Sequence, residues 1–146
     1  MTVPNRLSIV TFGVADVARS TRFYESLGWR RSSSSMDTAT FFQMQGSILG
    51  LYERGDLADD VGVPDDGAGF RGVTVALNVA STDEVDAVFT EWVEAGATPV
   101  KSPEEVFWGG YSSYVADPDG HLWEIAHNPH ASIGADGRLK IGGPAT

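Results

Sequence analysis

Glu124 sits in the segment LWEIAH, four residues after the glycine of the turn Asp117-Pro118-Asp119-Gly120. On a strand, alternation puts Leu122, Glu124 and Ala126 on one face and Trp123 and Ile125 on the other. A carboxylate among apolar neighbours is a group for ligating a divalent ion, taking a proton as a general base, or accepting a hydrogen bond from a ligand. Three histidines, His121, His127 and His130, fall within ten residues of one another. Imidazole is the commonest transition-metal ligand, but these do not converge: His121 lies in the turn, His127 has the parity opposite Glu124, and His130 lies past the strand. The aspartates at 56, 59, 60, 65 and 66 match no EF-hand spacing. No serine or threonine stands in a nucleophile elbow, and no glycine-rich loop opens a helix as a phosphate site requires. With no cysteine in the chain, disulfides, thiolate metal sites and cysteine nucleophiles are excluded, and no oxidising compartment is needed. No metal and no cofactor are therefore expected.

The elements that position Glu124 begin with its own hairpin. Tyr111 to Pro129 reads as two strands joined at the Asp-Pro-Asp-Gly turn, where proline sets φ, the aspartates bond back to the backbone and glycine supplies a positive φ. Near the N-terminus, residues 7–14 form a strand with Val10, Phe12 and Val14 on one face and Ile9, Thr11 and Gly13 on the other. Asp16 caps a helix to about Leu27, with Val17, Phe23, Tyr24 and Leu27 buried and Gly28 ending it. The serine run 32–35 lies at a strand edge or in a loop. Phe41 to Tyr52 is a hairpin turning near Gln45-Gly46, with Leu49 and Leu51 on one face and Ile48, Gly50 and Tyr52 on the other. Gly50 in mid-strand marks a bulge or a close approach.

Residues 54–71, rich in glycine and aspartate, read as a solvated connector. Beyond it the order repeats. Val73 to Val79 alternates, with Thr74, Ala76 and Asn78 on one face. Ser81 to Asp83 offers caps for a helix ending at Gly96, with Val85, Val88, Phe89, Trp92 and Val93 as its apolar stripe, and a loop leads to the Glu124 hairpin. Ile9 precedes Thr74 by 65 residues and Gly50 precedes Glu124 by 74, a drift expected of a duplicated unit with loop insertions.

At 146 residues and 42% hydrophobic content, the chain suffices for one compact domain or two small fused modules. The formal charge of −10 opposes binding to nucleic-acid phosphates and to anionic membranes. The N-terminus MTVPNRLSIV lacks the pattern of a secretory signal and no segment approaches a membrane span, so a cytoplasmic protein is expected, with a small molecule or a second copy of the chain as partner.

With the helices on the large apolar faces, the opposite faces carry small and polar side chains too sparse for a second packed layer. Sheets of eight strands curling around them would enclose a ligand cavity, the alternative being a flat sheet with one wetted face. The expected ligand-binding residues are Thr11, Phe41, Gly50, Tyr52, Thr74, Asn78, Trp108, Tyr111 and Glu124. Trp108 and Tyr111 supply rings that stack on a planar ligand or pack as core or dimer contacts, while Trp92 and Trp123 read as core.

The segments FGVADVARSTRFYESLGW, LNVASTDEVDAVFTEWVEAGA and WGGYSSYVADPDGHLWEIAHNP together resemble the vicinal oxygen chelate superfamily, which includes glyoxalase I, extradiol dioxygenases and bleomycin-resistance proteins. The resemblance covers nearly the whole chain and is most specific in the last segment. It implies an α+β fold of two βαβββ modules, here 5–54 and 71–128 within a single domain 1–146, with concave mixed sheets around a cavity, and a homodimer. It also implies four metal-ligand positions, which fall on Ile9, Gly50, Thr74 and Glu124. Only Glu124 is a strong donor, so the expected function is metal-free binding of an aromatic or polycyclic metabolite or antibiotic, similar to the bleomycin-resistance branch. The alternative is a glyoxalase-like lyase or dioxygenase-type enzyme, metal-dependent or using Glu124 as general base.

Overall fold

The computed structural model describes residues 3–142; residues 1, 2 and 143–146, the ends of the expected single domain, lie outside the described residues. The fold is α+β with mixed sheets, and the chain divides into two compact units, up to Ala68 and from Gly69 onward.

The first unit runs β1 (Ile9–Val14), α1 (Val17–Ser26), β2 (Ala39–Gln43), β3 (Ile48–Glu53) and α2 (Arg54–Val61). Its sheet has the order β1-β3-β2, with β1 parallel to β3 and β2 antiparallel to it. Alternation along β1 works as the sequence requires, with Phe12 and Val14 buried and Ile9 and Thr11 exposed. Asp16 caps α1 by accepting from the Arg19 amide at 3.0 Å, and Gly28 leaves it at φ 88°. Phe23 and Tyr24 are buried as expected, but Val17 and Leu27 are only half-buried, and the fully buried positions include Ser20 and Thr21. Thr21 is tolerated there because its hydroxyl donates to the Val17 carbonyl at 2.6 Å and meets the Thr40 hydroxyl at 2.8 Å. Tyr24 also stacks on Trp29, with centroids 5.5 Å apart.

Two expectations for this unit change. The fourth strand of the first βαβββ module is reduced to an isolated bridge between Arg31 and Phe42, and the serine run follows the β2 edge, the Ser32 amide donating to the Phe41 carbonyl at 2.7 Å. The connector is not wholly irregular, since it opens with α2. Glu53 caps this helix by accepting from the Asp56 amide at 2.8 Å, and Gly62 ends it at φ 85°. No residue of α2 is buried, so it has no apolar stripe for sequence periodicity to detect.

The second unit runs β4 (Val75–Asn78), α3 (Thr82–Glu94), β5 (Thr98–Glu105), β6 (Tyr111–Ala116), β7 (Leu122–His127) and a short hairpin, β8 (Ser132–Ile133) and β9 (Leu139–Lys140). The larger sheet has the order β4-β7-β6-β5, with β4 parallel to β7. β4 is shorter than the expected Val73 to Val79, so Val73 and Thr74 precede the strand and are exposed. The loop expected before the hairpin is mostly β5, an exposed edge strand whose prolines, Pro99 and Pro103, are tolerated at a sheet edge. Ser81 caps α3, accepting from the Glu84 amide at 3.2 Å. Val85 and Trp92 of α3 are buried, as are Val115, Trp123 and Ile125 of the sheet, and the Trp92 and Trp123 rings lie 5.1 Å apart.

Candidate functional site

The turn after β6 fixes the register that builds the site. Asp117 Oδ1 accepts from the amides of Asp119 and His121, both at 2.9 Å, and Gly120 takes φ 85°. The two strands then pair so that Tyr114 stands opposite Glu124 and Ser112 opposite Ala126. Lys101 of β5 faces Tyr114, and Ala76 of β4 faces Glu124 on the other side. A row of Ala76, Glu124, Tyr114 and Lys101 therefore crosses the sheet on the face opposite Trp123.

Half-buried Glu124 accepts through Oε2 from the Ser112 hydroxyl at 2.6 Å and from the Tyr114 hydroxyl at 3.2 Å. Burial, then the charge of Glu124 and the bond to it, push the Tyr114 phenol above its usual value, against an opposing effect of Lys101. The Lys101 ammonium is answered by Glu104 at 2.8 Å, which holds its proton more tightly than usual. The chemistry available is a carboxylate held in one orientation by two hydroxyls, with Oε1 left to accept from a ligand and the small Ala76 beside it. Neither Ser112 nor Tyr114 was among the expected site residues. Counting out symmetrically from the four turn residues pairs Tyr114 with Trp123; the observed register is one residue further on because the Asp117 amide donates to the His121 carbonyl, so that His121 belongs to the turn.

The remaining expected residues divide between the units. In the first, Thr11, Gly50 and Phe41 form one row across β1, β3 and β2. A Cβ on Gly50 would lie 3.2 Å from Thr11 Oγ1 and 3.5 Å from the Phe41 ring, so this glycine is the close approach that its mid-strand position signalled. Tyr52 is half-buried and pairs with Gly13 and Ala39. In the second, Asn78 ends β4 opposite Ala126, on the Glu124 face, whereas Thr74 lies outside the strand. Tyr111 has the parity opposite Tyr114 and turns to the helix, donating to Asp86 Oδ1 at 2.8 Å. Trp108, 38% exposed, lies in the β5–β6 loop with its ring over Gly110, where a Cβ would fall 1.8 Å away. The register thus gathers Glu124 and Asn78 on one face and leaves Tyr111 off it.

The four positions that a family metal site would use do not fit a divalent ion. Ile9 and Gly50 have no side-chain donor, and Thr74 precedes its strand. A catalytic ion needs about three protein ligands. Among the described residues, no group of three or more His, Cys, Asp or Glu stands together for a metal, and no helix is long and apolar enough to cross a membrane.

Residues 6–125 match the family described as Glyoxalase/Bleomycin resistance protein/Dioxygenase superfamily. The solved structure of a glyoxalase-related enzyme from Fulvimarina pelagi superposes with a TM-score of 0.85 at 36% identity, over 94% of this chain and 98% of that one. An uncharacterized protein of Mycobacterium bovis is 43% identical over 54 residues, 37% of this chain and 35% of its own, so the match spans about a third of that relative's length. The metallothiol transferase FosB of Shouchella clausii is 25% identical over 122 residues, 83% of this chain and 79% of its own.

Proposed function

Because the chain belongs to the glyoxalase/bleomycin resistance protein/dioxygenase superfamily, we propose that it is a small-molecule-binding protein that holds an aromatic or polycyclic metabolite or antibiotic without a metal. The observation that carries this reading is the state of Glu124. Its Oε2 is taken by the Ser112 and Tyr114 hydroxyls, and the other three family ligand positions hold Ile9, Gly50 and Thr74. In this reading, Oε1 accepts an N–H or O–H from the ligand, Asn78 adds a polar contact on the same face, and apolar burial supplies the affinity at roughly 25 cal/mol per Å² before association costs. Binding keeps the molecule from its target, and the protein acts as a cytoplasmic homodimer.

A second reading, an enzyme using Glu124 as general base, is favoured by the 36% identity to a glyoxalase-related enzyme. The two fixed hydroxyls would then hold the carboxylate so that Oε1 takes the substrate proton.

Calorimetric titration with a panel of planar aromatic and polycyclic compounds, bleomycin included, tests the binding reading. The expected result is saturable binding that Glu124→Gln weakens about tenfold, the size expected of one charge-assisted hydrogen bond. No binding across the panel would overturn it, and turnover of any bound compound would favour the enzyme.

A further inference from the structure

We propose that the cavity of about 360 Å³ at the rim of the second unit, between Tyr111 and His127, is a separate site for a small organic cation of about one ring's size that donates hydrogen bonds. Tyr111 and His127 stand opposite each other at the ends of β6 and β7. Both have the parity opposite Glu124, so the cavity does not lie on the Glu124 face. Thr82 at the start of α3, Val106 of the β5–β6 loop and Pro129 complete most of its wall. The volume is at the small end of ligand pockets, roughly 300–1,000 Å³.

The polar groups around it mostly accept. His127 Nδ1 lies 3.1 Å from the Val79 carbonyl. A carbonyl only accepts, so in the neutral ring Nδ1 carries the hydrogen and Nε2 is the acceptor. Glu105 lines the cavity and Asp86 takes the Tyr111 hydroxyl at 2.8 Å. The bond to Asp86, then burial, then the charges of Asp86, Asp83 and Glu105 all hold the Tyr111 proton above its usual range. Glu105 thus lines the cavity, Asp86 stands behind the Tyr111 hydroxyl, and among the described residues no lysine or arginine lines it. His130 borders the loop, its Nε2 being 3.4 Å from where a Cβ of Gly109 would stand. These groups are complementary to a positive charge with N–H donors. They do not form a metal cluster, and Val106, Pro129 and the Tyr111 ring offer apolar contact, which favours an organic cation over a metal ion.

The test titrates the full chain with benzylammonium, benzyl alcohol and benzoate near neutral pH, following amide shifts by NMR. Benzylammonium is expected to shift the amides of Thr82, Gly109, Gly110 and Tyr111 saturably, with benzyl alcohol about tenfold weaker and benzoate without effect, as charge complementarity requires. His127→Ala and Glu105→Gln should each weaken benzylammonium by about fivefold or more. Should His127→Ala fail to fold, the exposed Glu105→Gln still reads the charge. Equal binding of benzoate, shifts confined to Ser112, Tyr114 and Glu124, or no saturable shift would each overturn the proposal.

Discussion

Tyr114 faces Glu124 directly across the β6–β7 pair, with its hydroxyl 3.2 Å from the carboxylate oxygen that also accepts from Ser112 at 2.6 Å. The pairing makes Tyr114 a positioning residue for Glu124 and gives it a titration signature. Burial and the Glu124 charge favour the neutral phenol in the folded state. The associated stability is fully present below the unfolded tyrosine value, about 10, and is lost as pH rises through the higher folded value. Thermal melts above pH 10 should therefore fall more steeply for the wild type than for Tyr114→Phe, and parallel curves would contradict the coupling. At neutral pH, Tyr114→Phe should cost about 1 kcal/mol, since the bond is to a charged but only half-buried acceptor.

The Thr21 and Thr40 hydroxyls are buried together at 2.8 Å, and Thr21 already donates to the Val17 carbonyl. Thr40 must then be the donor between them. Thr21→Val leaves the Thr40 hydroxyl buried without its acceptor and should cost about 1–3 kcal/mol, whereas Thr40→Val leaves Thr21 bonded and should cost less. Denaturant unfolding of both variants checks the order; equal costs would contradict the assigned direction.

Gly50 and Thr11 should be energetically coupled. A Cβ at Gly50 would stand 3.2 Å from Thr11 Oγ1, which offsets the benefit of about 0.5–1 kcal/mol that alanine otherwise brings to a strand. In a double-mutant cycle, Gly50→Ala should be more favourable in the Thr11→Ala background by at least about 0.5 kcal/mol. Additivity would mean that the strand relaxes around the new methyl group.

Trp123 and Trp108 should separate cleanly. Trp123 is 2% exposed against Trp92, so Trp123→Ala should cost about 3–5 kcal/mol. Trp108 is 38% exposed in a loop, so Trp108→Ala should change stability by less than about 1 kcal/mol. Similar costs for the two would contradict the packing described.

Much of this architecture is legible in the sequence because turn chemistry and alternation act locally. The Asp-Pro-Asp-Gly turn sets the hairpin, but the partner of Glu124 does not follow from it alone, because His121 joins the turn and moves the register by one residue. Capping residues Asp16 and Ser81, with Gly28 and Gly96, bound two helices within a residue or two. What was not legible lacks such a local signal. α2 is exposed on all sides and starts from a glutamate, an uncommon cap. β5 is an exposed edge with two prolines, so it reads as loop. Ser20 and Thr21 look like surface residues of α1, and the bonds that make burial of Thr21 acceptable, to the Val17 carbonyl and to the distant Thr40 hydroxyl, leave no pattern in the sequence. The Tyr111 ring suits stacking, but strand parity places it off the Glu124 face, where its hydroxyl donates to Asp86.

The central claim is that ligand binding at Glu124 needs no metal. Its most direct test is the dissociation constant of the tightest compound from the panel, measured before and after exhaustive chelation, with elemental analysis of the same samples. The account predicts an unchanged constant and no ion in stoichiometric amount. Loss of binding on chelation, restored by adding back one divalent ion per chain, would contradict it.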